Sequence, residues 1–340
     1  MRQSWALACA LLGACFSPNP PAGAPCSEDG SCPRGLVCGP DTTCVRPAGP
    51  PFDAGPDAPI SMVDAAPAAC AAAWADGAPS FTPPVAMDAL DTVGNELDPW
   101  VTPDELTIYF ARGRAFDIYT ATRATVAGDF GQATRVAALD STATDTRVSL
   151  TGDGRRAILS SDRASPGDPD LFEATRASAT GTFSTPDATA LAKVNSTRQE
   201  LDPELSADGL RLYFSVLGSG SPHHLELATR TSTLAAFDEP VPVMIFGESA
   251  AVADPSVSPD GKLLLYSAVD PSTGTTDLHV ALPISASGLV FQARGALPFN
   301  SAQSDGDAAL SADECRVYFS SNRPGGTGGR DLYVTSVVMP

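Results

Sequence analysis

The chain is poor in positive charge. Its 340 residues hold 21 Lys and Arg against 40 Asp and Glu, a formal net charge of −19. Such a chain repels a phosphate backbone instead of releasing its counterions, so a nucleic-acid partner is excluded; the charge serves solubility. Histidine is scarce, with three in the chain, and aromatic residues make up only 7%. There is no Gly-x-Ser-x-Gly elbow, no metal-ligand helix and no phosphate loop. No cofactor and no metal are therefore expected. Long hydrophobic runs are also missing. The apolar run Trp5–Ala14 has ten residues, too few for the ~20 that span a bilayer, and no later stretch is longer and apolar enough. Abundance lies elsewhere: 29 Gly and 31 Pro imply many turns and some linker rather than long helices.

The N-terminus reads as a targeting segment. Arg2, the short apolar run and the small residues that close it form a secretory signal over residues 1–14. Leu12-Gly13-Ala14-Cys15 resembles the lipobox of bacterial lipoproteins. That resemblance implies that Cys15 becomes the first mature residue and carries the lipid, which is then the only membrane attachment. Phe16 rather than Asp follows, which by resemblance points to the outer membrane, facing the periplasm or the outside.

Eight cysteines are present. With Cys9 in the signal and Cys15 lipidated, Cys26, Cys32, Cys38, Cys44, Cys70 and Cys315 remain, and an even set in an exported chain reads as disulfides. The first four, six residues apart, fall in a small segment over 15–44 that has no core of its own. A zinc site prefers a Cys-x-x-Cys spacing that is absent, so two disulfides of open connectivity are expected. The stretch Cys32–Cys38 resembles the cysteine-rich spacers of some bacterial lipoproteins. Residues 45–69 interleave Pro47, Pro50, Pro51, Pro56, Pro59 and Pro67 with Ala, Gly and Asp, the composition of an extended linker.

From residue 70 to 340 the chain repeats. Thr102-Pro103-Asp104-Glu105, Thr151-Gly152-Asp153-Gly154, Ser206-Ala207-Asp208-Gly209, Ser258-Pro259-Asp260-Gly261 and Ser311-Ala312-Asp313-Glu314 start 49, 55, 52 and 53 residues apart. Six residues after each start comes an apolar triplet, such as Ile108-Tyr109-Phe110 or Val317-Tyr318-Phe319. A further apolar element follows, headed by Asp117, Asp170, His224, Asp277 and Asp331, and then a phenylalanine: Phe130, Phe183, Phe237 and Phe291, with Phe81 ahead of the first repeat. Ser, Asp and Gly suit tight turns, and the triplets suit strands covered on both faces. About four strands in about 52 residues describe propeller blades.

These repeats resemble the TolB-like or WD40-like (PD40) propeller, most closely at Ser258-Pro259-Asp260-Gly261 and at Phe319–Gly326 followed by Asp331-Leu332-Tyr333. The fold expected is all-β, a propeller of five blades rather than six. The phase of the repeats makes Phe81–Ala89 the outer strand of the last blade, closing the ring. Cys70, just before that strand, and Cys315, in the last repeat, are expected to form a disulfide that locks it.

Asp98, Arg147, Asp202, Asp254 and Asp307 precede the tetrads by four residues each. They start the innermost strands, where they form an acidic ring at the channel mouth able to hold a cation or a basic peptide, unless each simply caps its own turn. No catalytic residue is assigned: the carboxylates follow the repeat, whereas an acid and a base need different surroundings. Glu173, Glu239 and Glu248, which do not follow it, lie in no motif, and His223-His224 ends a loop. The expectation is a non-catalytic envelope lipoprotein that binds a protein or peptide of the envelope as a scaffold. The alternative is a propeller that binds or hydrolyses a glycan, since some five-bladed propellers are glycosidases with paired carboxylates.

Overall fold

The computed structural model describes residues 69–75, 77–113, 116–218 and 222–339, with the backbone of two short strands ahead of them. The chain divides into two compact units, residues 1–58 and 59–340. In the first, Val37–Cys38 pairs antiparallel with Cys44–Val45. The signal, Cys15, Cys26, Cys32, the side chains of Cys38 and Cys44, and nearly all of the linker lie outside the described residues.

The second unit is a five-bladed β-propeller closed by its own N-terminal strand. Blade I consists of Glu96–Val101, Thr107–Arg112, Asp117–Thr122 and the short Thr134–Arg135. Blade II has three strands, Asp145–Leu150, Arg156–Ser161 and Asp170–Thr175. Blade III is Gln199–Leu205, Arg211–Leu217, His224–Thr229 and Val241–Pro242. Blade IV runs from Val252–Val257 through Leu264–Val269 and Thr276–Pro283 to Val290–Ala296, where Met244–Phe246 adds a parallel fifth strand. Blade V is Asp305–Leu310, Arg316–Ser321 and Asp331–Ser336, completed by Val85–Ala86 from the start of the unit. The apolar triplets are the second strands of all five blades.

Each tetrad closes the turn between first and second strands in the same way. The Thr102 hydroxyl donates to Asp104 at 2.6 Å, the same Asp104 oxygen accepts the Leu106 amide at 3.0 Å, and Thr107 N donates back to Thr102 Oγ1. Ser206 and Asp208 repeat the pattern, as do Ser311 and Asp313. The last tetrad residue has positive φ in every blade. Three blades place Gly there, which adopts it without steric cost. Glu105 and Glu314 take it at φ 56 and 59, and Glu105 has a compensating role: it accepts Arg316 and the Tyr318 hydroxyl across the seam between blades V and I.

The core is five apolar clusters, one in each seam. Ile108, Phe110, Leu332 and Tyr318 fill the seam from V to I; Trp100, Tyr109, Val148 and Leu159 fill that from I to II; corresponding sets fill the remaining three. Both faces of each inner sheet are covered, which is why the triplets read as continuous rather than alternating.

The phenylalanine element differs from the expected strand. Phe130, Phe183 and Phe237 lie in loops, each buried beneath a guanidinium: Arg123 over Phe130 at 4.4 Å, Arg176 over Phe183 at 4.2 Å, Arg230 over Phe237 at 4.3 Å. Ring burial and the cation–π contact hold the blade edge, so a long outer strand is not required. Only Phe291 sits in a full strand.

Cys70 and Cys315 are joined by a disulfide across 245 residues of sequence. Beside it Trp74 is buried and donates its indole N–H to Glu314 O at 2.9 Å, and Phe81 bridges to Val337.

Candidate functional site

The five ring residues converge on the axis, and the backbone shows how. At each of them the register between first and second strands slips, and φ is positive: 54 at Asp98, 28 at Arg147, 52 at Asp202, 52 at Asp254 and 56 at Asp307. A bulge with a left-handed residue re-aims its side chain. Here the strain is repeated five times to point one polar group per blade into the channel, which is more than a local turn cap requires.

The ring is a charge cluster. Arg147 is fully buried in it. Its Nη2 donates to Pro255 O and Ala308 O, both at 3.1 Å, carbonyls of blades IV and V across the channel from its own blade II. It also lies 3.7 Å from Glu204 Oε2. The Arg147 amide donates to Asp98 at 3.3 Å and the Asp307 amide to Asp254 at 3.4 Å, linking neighbouring blades. Arg330 approaches from blade V, 3.7 Å from Asp307. Arg147 therefore already supplies a positive charge within the ring.

The carboxylates are not equivalent. Burial, then the charges of neighbouring aspartates, pushes Asp98 up to about 8. Asp202 rises to about 6, from burial and the charge of Asp98, while hydrogen bonds from Ser215 and Asp254 hold it down. Asp254 is pushed well up by burial and by Asp202 and Asp307. Asp202 and Asp254 are hydrogen-bonded to one another, and burial and mutual repulsion favour one proton shared between them. Glu204 rises to about 7, chiefly through burial, with Arg147 opposing. For Arg147, burial pulls the guanidinium down, and the field of Glu204, Asp98, Asp254 and Asp202 more than offsets it.

These shifts predict an inverted pH dependence of stability. A carboxyl whose folded value is raised holds its proton more tightly in the native state. Stability then falls as pH rises past the ordinary value of 3.8, and the loss is complete above about 8 for Asp98. Carboxylates lowered in the fold, such as Asp104 and Asp260, stay ionised between pH 5 and 8.5 and contribute no slope there. The thermal midpoint is expected to be higher at pH 5 than at pH 8.5, by on the order of 5 °C; a midpoint that is flat or rises over that range contradicts the shared proton.

Beyond Arg147 the channel opens at the tetrad end into a cleft of ≈ 720 Å³ including open solvent, lined by Trp100, Glu204, Arg211, Tyr213, Pro259 and residues of all five turns. Apolar walls with a few convergent polar groups are the usual form of a small-ligand site. Glu204 was missed in the sequence. Its signal is a break in the repeat: two residues after the ring position stand Trp100, Ser149, Ser256 and Ala309 in the other blades. The other irregular glutamates are accounted for. Glu173 pairs with Arg156 and Arg230, Glu248 accepts Tyr266 and faces His279, and Glu239 is exposed. His224 faces Glu226 at the start of its strand.

No protein-family model and no curated protein sequence matches the chain. Its fold is nevertheless shared. A thermostable family-43 glycoside hydrolase superposes with a TM-score of 0.52 at 15% identity, over 75% of this chain and 96% of that one. The endo-arabinase from Bacteroides thetaiotaomicron VPI-5482 gives 0.53 at 15% identity, over 77% and 98%. TolB from Acinetobacter baumannii is a looser match, 0.42 at 13% identity over 73% of this chain and 55% of its own. These neighbours overturn the expectation of a non-catalytic, protein-binding scaffold, because the end-to-end matches are to glycoside hydrolases. The expectation rested on carboxylates that merely follow the repeat, and that premise fails physically: Arg147 and Glu204 break the symmetry and spread the proton affinities of the ring.

Proposed function

We propose that this propeller acts on a carbohydrate and hydrolyses a glycosidic bond, using the channel carboxylates. The observation that carries the proposal is the cluster of carboxyl groups in unequal surroundings, Asp98, Asp202, Asp254 and Glu204, at the centre of a five-bladed fold, with Glu204 opening on the cleft. Hydrolysis of a glycoside needs one carboxylic acid to protonate the leaving oxygen and one carboxylate to act on the opposite side. Glu204 is the acid: it lines the cleft, and burial raises its carboxyl to about 7. The Asp202–Asp254 pair, which keeps one negative charge between its two carboxyls, is the base that takes a proton from the attacking water as the bond from the anomeric carbon to the leaving oxygen breaks. Arg147 keeps the remaining charge of the ring in balance. The chain's structural neighbours include an endo-arabinase and an α-L-arabinofuranosidase, so arabinan and α-L-arabinofuranosides are the first substrates to try. From the sequence alone we also propose export and lipid anchoring at Cys15, which would hold this activity at the cell envelope.

The test is release of reducing ends by the mature protein and by Asp254→Asn and Asp202→Asn variants. Each variant is expected to lower kcat about 10²–10⁴-fold. Binding of the glycan without release, or release that both variants retain, rejects the assignment.

A further inference from the structure

A second acidic cluster lies away from the channel, in the seam between blades V and I. Asp91, Glu96 and Asp331 place carboxylate oxygens within 4.8 Å of one another. Glu96 and Asp331 are buried. Comparison with the other blades shows what is unusual here. One side chain in the loop before an inner strand accepts the amide of the third strand: Asp140 from Ile118, Asn195 from Leu171, Asn300 from Leu278 and Asp91 from Leu332. In two cases the second head atom is an amide nitrogen that donates to a carbonyl, Asn195 to Leu171 O and Asn300 to Leu278 O, both at 2.9 Å. In the third, Asp140 Oδ2 is met by Arg135, which also binds Asp117, each at 2.6 Å. Asp91 alone has a second carboxylate oxygen that is buried and has no hydrogen-bond partner.

A separate group points the same way. The Tyr333 side chain is 4% exposed and its hydroxyl has no partner. It opens on the cluster: a Cβ built on Gly326 would overlap Asp331 Oδ2 and lie 3.1 Å from that hydroxyl. The glycine-rich loop Gly325–Gly329 can therefore cross the carboxylate closely, and the Gly328 amide donates to Asp331 at 3.1 Å. Glu96 accepts the Thr92 amide and hydroxyl and pairs with Arg112 at 3.2 Å; Arg112 also donates to Leu90 O, and Arg323 stacks on the Tyr333 ring while pairing with Asp305, so neither reaches Asp91 Oδ2 or the Tyr333 hydroxyl.

We propose that Asp91, Glu96, Asp331 and the Tyr333 hydroxyl form a calcium site. Oxygen-only donors select a hard cation. Three carboxylates and a hydroxyl offered by the protein suit the flexible shell of roughly 6–8 oxygens that Ca²⁺ takes, whereas Mg²⁺ demands a near-ideal octahedron and usually keeps several waters beside one or two carboxylates. The ion would join the strand Asp331–Ser336 of blade V to the loop and first strand of blade I.

The Asp91→Asn variant reproduces what blades II and IV use at the equivalent position, Asn195 and Asn300, and is expected to fold. The full chain is stripped with a chelator and titrated with Ca²⁺ at pH 7.5, following heat and thermal midpoint. The expected result is one saturating site in the wild type with a midpoint raised by several degrees, a loss of affinity of at least ten-fold in Asp91→Asn, and little response to Mg²⁺. No calcium response in the wild type, equal responses in wild type and variant, or a stronger response to Mg²⁺ each overturns the proposal.

Discussion

Replacing Arg147 with Met is expected to cost about 3–5 kcal/mol at neutral pH, because one partner of a buried charge cluster is removed and the others stay behind. The substitution leaves Pro255 O and Ala308 O without their donor, and Asp98, Asp202, Asp254 and Glu204 without the cation that offsets their repulsion. Met keeps most of the aliphatic stem, so the loss reports charge more than volume. For a domain of this size the thermal midpoint should fall on the order of 10 °C. The loss should shrink at pH 5, where Asp98 carries its proton and the uncompensated charge is smaller. A variant that melts with the wild type at pH 8, or that loses as much at pH 5 as at pH 8, shows that the guanidinium only fills space.

Serine at both Cys70 and Cys315 is expected to lower the unfolding free energy by about 2–5 kcal/mol. The bond closes a loop with a sequence separation of 245, so most of the effect falls on the unfolded chain, whose freedom it restricts. The native ring should stay shut without it. The Cys70 amide still donates to Asp313 O, Trp74 stays anchored on Glu314 O, and Val85–Ala86 remains paired in blade V. Urea midpoints of wild type and double variant measure the difference, and circular dichroism in the absence of urea checks the fold. Equal midpoints would show that the strand alone fastens the ring. Loss of native signal in buffer would show that the bond holds the folded state itself.

The features legible in the sequence were those written locally in every blade. A tetrad closes its turn with its own side chains, and a triplet buried on both faces has to be apolar, so repeat, strand and closing strand could be read without contacts. The outer element of three blades misleads because a Phe in a β-rich repeat suggests a strand. The corrective signal was present: Ala121-Thr122-Arg123, Ala174-Thr175-Arg176 and Ala228-Thr229-Arg230 each place an arginine seven residues before the phenylalanine it covers. The ring residues were located from spacing, but not that Arg147 occupies the centre of the others, since this depends on geometry across the channel. Glu204 is hard to see because it stands at an ordinary repeat position and differs from the other blades only in residue type. The Asp91 cluster joins residues about 240 apart in sequence, and no pattern along the chain brings them together.

The self-contained turns also bear on how such a chain arises. In each blade the Ser or Thr hydroxyl, the Asp carboxylate and the amides they bind lie within five residues of one another. A tetrad moved from one blade to another carries the hydrogen bonds of its Ser or Thr and its Asp with it. Gene segments encoding whole blades can therefore be duplicated or exchanged without redesigning the corners, leaving variation free to accumulate at the few positions, such as Arg147 and Glu204, where one blade has to differ from the rest.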